Sequence, residues 1–224
     1  MCIRDSVYSH KKEYNLAAEN YTKGIEVSPN FPSNYFNLAN LYFSSTNKLA
    51  GIIYGEIFMN LERTTQRTIE MSESLFNAYD QSIYLSKDSS SIDFCEIRID
   101  ATSLTDGEIK LPLCATFGKN FILSIIGEEE VSLKSLSQMR TNFLKLYFEK
   151  DFEEYPNVLF DYHKSMEEAG VFEAYNYYLF QMAKKEDFAK WHTENEEAFN
   201  KFVNWFTSEE NILTIDQDLS LIHI

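Results

Sequence analysis

Two histidines carry the clearest local hints of chemistry in this chain. His163 lies in Asp161-Tyr162-His163-Lys164 with Glu167 four residues on, and His192 has Glu196 at the same spacing. Residues four apart on a helix share a face, so each pair could act as an acid/base couple or as half of a metal site. Neither pair has a third and fourth ligand or an activated nucleophile beside it, which makes a surface ion pair the expected state of both. Asp161, His163 and Glu167 are the polar site that an enzyme built on this chain would use, and no metal or cofactor is expected. Cys95 and Cys114 form no CxxC motif and are expected as free buried thiols, although a hairpin between them would bring them close. No P-loop, paired dinucleotide glycines, nucleophile elbow or HExxH occurs.

The elements that must position these residues are helices. Among 224 residues there are only 7 Gly and 4 Pro, too few for a β-fold rich in tight turns or for disordered Pro/Gly tracts. The formal charge of −15 repels phosphate backbones and anionic lipid surfaces, so nucleic acid is not an expected partner. The most apolar stretch, residues 115–126, falls short of the roughly 20 residues of a membrane span.

The termini stand apart. Residues 1–6 read MCIRDS and residues 219–224 read LSLIHI. Both resemble the in-frame translation of a transposase sequencing adapter, one from each strand. That resemblance implies a metagenomic fragment of a longer gene, with the native ends and the cellular location unreadable.

Repeats come next. Residues 13–29 (EYNLAAENYTKGIEVSP) place Tyr14, Ala17, Tyr21, Gly24 and Ile25 at helical spacing before Pro29. Residues 34–43 (NYFNLANLYF) place Tyr35, Leu38, Ala39 and Tyr42 at i, i+3, i+4 and i+7. Ala17-x3-Tyr21 followed by Pro29, then Tyr35-x2-Leu38-Ala39-x2-Tyr42, resembles the second and first helices of the tetratricopeptide repeat. Tyr8 and Tyr42, like Ala17 and Gly51, are 34 residues apart, the period of that family. A third copy is weaker, with Gly55 at the aromatic position, Arg63 at the proline and Phe76 continuing the Tyr8, Tyr42 series. Thr64-Thr65 then suits the N-cap of a helix over residues 66–85.

Beyond residue 86 the rhythm changes. Residues 87–91 (KDSSS) read as a linker, 92–101 as a strand, Thr105-Asp106-Gly107 as a turn and 108–113 as a returning strand. Helices resume over 115–126 and over 132–150, the latter preceded by Glu128-Glu129-Glu130. Another runs over 157–169 and is closed by Gly170; two more cover 172–183 and 186–206. Phe188, Trp191, Phe199, Phe202 and Phe206 line one face of the last helix, a pattern of packing more than of ligand binding. The expected fold is mainly α. Helical hairpins in the manner of an α-solenoid cover 7–86, a linker with a β-hairpin 87–113, a C-terminal helical bundle 114–212 and a tail 213–218.

Function is expected to follow from the repeats. In tetratricopeptide arrays the first helices of successive repeats line a concave groove, and the resemblance carries those positions onto Ser33, Phe36, Asn37, Asn40 and Phe43. Asn37 and Asn40 would hydrogen-bond an extended peptide, while Phe36 and Phe43 would pack its side chains. The family's basic clamp for a peptide carboxylate is not matched at Ser33 or Phe36. The expected activity is non-catalytic binding of a protein or peptide of basic or neutral character. The alternatives are an enzyme centred on His163 and a structural assembly component using the aromatic face of residues 191–206.

Overall fold

The structure, a computed structural model, describes residues 13–86, 89–97 and 111–215. Both adapter-like hexapeptides, Tyr8 and the turn proposed at Thr105-Asp106-Gly107 lie outside the described residues. Ten helices and one two-stranded antiparallel sheet make up the ordered elements among them. The expectation of a mainly α chain with a small β-hairpin holds. No described helix is long and apolar enough to cross a membrane.

Four sequential helices form the first half: α1 (Tyr14–Val27), α2 (Pro32–Phe43), α3 (Lys48–Leu61) and α4 (Gln66–Ser82), each packed on the one before it. Pro32 starts α2 where its missing N–H costs nothing, and the Tyr35 hydroxyl donates to the Pro29 carbonyl at 2.6 Å, latching the α1–α2 turn. Small residues set how closely the helices approach. A Cβ at Gly24 would meet the Asn34 side chain at 2.6 Å, and one at Gly51 would meet the Phe43 ring at 2.6 Å, so neither position has room for a side chain. Asn47 caps α3 through the Ala50 N–H, and the Thr65 N–H donates to the Thr68 hydroxyl at the start of α4.

A hairpin lies ahead of the segment read as two strands, of which residues 98–110 are outside the described residues. β1 (Ile83–Leu85) pairs with β2 (Ser90–Ile92), so Ser90 and Ser91, read as part of a linker, belong to the returning strand. The expected α4 therefore stops at Ser82 instead of Leu85. Ile83 is buried against the core and faces Ile92, and that apolar pair fixes a register too short to show as a periodicity. Leu113 opens a helix instead of closing a strand.

The second half contains α5 (Leu113–Ser124), α6 (Leu133–Lys150), α7 (Val158–Glu168), α8 (Phe172–Phe180), α9 (Lys185–Glu194) and α10 (Glu196–Thr207), with a 3-10 turn at Glu209–Asn211. Gly170 closes a helix as expected, and side-chain caps open α6 and α7. Ser132 caps α6 and exchanges bonds with Ser135; the Asn157 side chain accepts from Leu159 and Phe160; Gly170 ends α7 at φ +65°. The expected single helix over 186–206 is broken at Asn195, whose amide donates to the Trp191 carbonyl and whose backbone leaves helical geometry. The break folds the aromatic stripe onto itself, bringing Phe188 and Phe199 to 5.7 Å. Trp191 stacks on Tyr177 at 4.1 Å, and Phe202 and Phe206 pack on Tyr175 and Tyr178.

The two halves share one apolar core running from Ala17 to Ile215. Helix α8 packs on α4, α6, α7 and α10, while α3, buried over residues 49–60, also touches α7. Cys95 and Cys114 are joined as a disulfide with their Cα atoms 6.5 Å apart, correcting the expectation of free thiols.

Candidate functional site

The five groove positions all lie on α2, and α4 runs beside it. Ser33 accepts a hydrogen bond from Arg67 at 3.0 Å. Arg67 is held by both carboxylate oxygens of Glu62, and its guanidinium carbon lies 5.2 Å from the Phe36 ring centroid. Phe36 itself leans on Phe58, with ring centroids 5.1 Å apart. Asn37 is half-buried and its side chain makes no hydrogen bond among the described residues, leaving its amide available. Asn40 is exposed, though its amide donates to the Phe36 carbonyl one turn back. Ser33, Phe36, Asn37 and Asn40 thus follow one side of α2, whereas Phe43 is set into the α2–α3 contact against Gly51. Glu70, Glu73, Asn77 and Asp80 of α4 are all exposed. This surface offers amides, one aromatic ring and acidic charge.

The second candidate, around His163, is rearranged. Asp161 is exposed, and Glu167 pairs with Lys164 at 2.9 Å, so neither reaches the imidazole. His163, 2% exposed, turns inward and donates from Nε2 to Glu56 of α3 at 2.7 Å. Arg140 of α6 pairs with the same Glu56 oxygen, Oε1, leaving Oε2 and Arg140 Nη1 without partners among the described residues. Phe172 and Phe180 place ring centroids 5.4 Å from the Arg140 guanidinium carbon, and Tyr79 one at 5.8 Å. Asn60, one turn beyond Glu56, donates to the Tyr175 hydroxyl at 2.8 Å. The triad therefore ties α3, α6 and α7 together at the centre of the molecule.

Its charge state follows from burial. Desolvation alone would raise the Glu56 carboxyl, but the Arg140 and His163 contacts outweigh it and hold the pKa down to about 2. Burial pushes the His163 imidazole below its ordinary value, against the opposing pull of Glu56. At neutral pH the site holds one carboxylate, one guanidinium and a neutral imidazole whose Nε2 carries the proton. Its net charge is zero, and its depth keeps a substrate from the imidazole in this conformation.

Glu56 and Arg140 were not among the residues singled out by spacing, although the signal was present. Glu56 is the lone acid in the apolar run 49–59, and Arg140 falls among Leu136, Met139, Phe143 and Leu144 on the stripe of α6. A charge inside an apolar stripe needs an opposite charge from another element. No group of three or more His, Cys, Asp or Glu side chains that could hold a metal ion occurs among the described residues. The chain matches no family model, no curated protein and no solved structure.

Proposed function

We propose that the chain is a non-catalytic scaffold of tetratricopeptide type that binds a protein or peptide along α2 and α4. The observation that carries this reading is the bond from Arg67 to Ser33, residues 34 positions apart on successive first helices. Side chains at one repeat position meet across neighbouring copies, as a stacked array of that period would have them do. The buried Ala17, Tyr21, Tyr35, Leu38 and Ala39 agree with the same pattern. The partner is an extended segment of basic character: Asn37 and Asn40 hydrogen-bond its backbone, Phe36 packs its side chains, and Glu70 and Glu73 attract its charge.

Selection from a displayed library of random peptides tests this. The expected result is enrichment of basic sequences whose affinity falls about tenfold with Asn37→Ala and weakens with added salt. A library that enriches nothing, or peptides indifferent to substitution at both Asn37 and Asn40, overturns the proposal.

A further inference from the structure

Cys95 and Cys114 belong to neither candidate site. Cys95 follows β2, and Cys114 is the second residue of α5. The neighbouring Phe94 is 3% exposed and packs edge-on against Phe117 and Phe121 of α5, at 5.1 and 5.0 Å, and against Tyr79 of α4 at 5.7 Å. The Phe94 carbonyl also accepts from the Leu49 N–H at 3.1 Å, anchoring the segment to α3. These contacts hold the two cysteines in range of each other. Both side chains remain half-buried and within reach of a reagent.

We propose that this pair is a maturation site. The chain passes through an oxidising compartment, where a thiol–disulfide oxidoreductase forms the Cys95–Cys114 bond and thereby staples the segment between them. In the balanced reaction, the thiolate of one cysteine attacks the oxidoreductase disulfide, forming a mixed disulfide and releasing one enzyme thiolate. The second cysteine displaces the other enzyme sulfur. Two protons and two electrons leave the pair, and the oxidoreductase departs as a dithiol. The bond closes a loop with a sequence separation of 19, long enough for the cross-link to restrict the unfolded chain substantially. Disulfides of this kind persist where the cell does not keep thiols reduced.

The test uses the full chain with Cys2→Ser, so that only this pair can react. Produced in the bacterial periplasm and alkylated while denatured, the protein is expected to take up no label and to weigh about 2 Da less than its reduced form. Peptide mapping is expected to link Cys95 to Cys114. Reduction is expected to lower Tm by about 6–12 °C, and a Cys95→Ser/Cys114→Ser form to melt near the reduced value regardless of reductant. Two labelled thiols in the periplasmic product overturn the maturation site, and a Tm unmoved by reduction overturns the staple. If the double variant does not fold, thiol labelling and Tm with and without reductant on the parent still decide.

Discussion

His163 and His192 start from the same local sequence logic, an imidazole followed four residues later by glutamate, and end in opposite environments. His163 is sealed among α3, α6 and α7 and shares the Glu56 carboxylate with Arg140. His192 stays near the surface, its ring 4.6 Å from Phe199, while the break at Asn195 separates its helix from the one that carries Glu196. Neither glutamate at the i+4 position becomes the partner. The helix face supplies candidates, but the neighbouring elements choose among them, and a charge already committed to the core outcompetes a solvated one nearby.

Breaking the buried member of this comparison should have the largest effect. Glu56→Ala leaves Arg140 charged and unpaired in the core, with an expected loss of about 3–5 kcal/mol in urea unfolding. Replacing both by Met should recover most of that loss, since the apolar pair needs no desolvation; a double variant as unstable as the single one would show that the ion pair itself supports the fold. Acid should act on the buried histidine next. The folded-state pKa of His163 lies below its unfolded value, so the unfolded chain binds the extra proton and stability falls as pH drops below about 6.5. Glu56 adds a further loss between about 4.5 and about 2, in the same direction. His163→Gln should flatten the first part of that decline in pH-dependent thermal melts. His192→Ala removes a ring contact and should cost about 0.5–1 kcal/mol by the same unfolding assay. The smallest effect belongs to Glu167→Gln, which weakens a largely solvated pair with Lys164 and should stay within about 0.5 kcal/mol.

The features legible in the sequence were those set by neighbours along the chain. Gly170 acts within a turn of its own position and closes α7 where a left-handed residue is least strained. Tyr35, Leu38 and Ala39 are buried because helical spacing puts them on one face. The hairpin of Ile83–Leu85 and Ser90–Ile92 is hard to read in the sequence because three-residue strands carry almost no alternation, and their register depends on Ile83 meeting Ile92. The helix break at Asn195 was missed because the aromatic spacing continues through it, although Asn disfavours a helix interior. The Cys95–Cys114 pairing and the Glu56–Arg140–His163 triad depend on tertiary placement. A lone acid in α3 announces that it needs a cation without saying which one. Of the groove positions, Phe36 leans on Phe58 of α3 and Phe43 fills the space left by Gly51, contacts that no spacing within α2 announces.

The triad also has a consequence in time. Glu56 and Arg140 are separated by 84 positions along the chain. At roughly 5–20 residues per second on the ribosome, Arg140 is made about 4–17 s after Glu56. The most enclosed helix of the molecule therefore leaves the exit tunnel before its cation exists, and the nascent N-terminal hairpins cannot reach their final interior until α6 has followed them out.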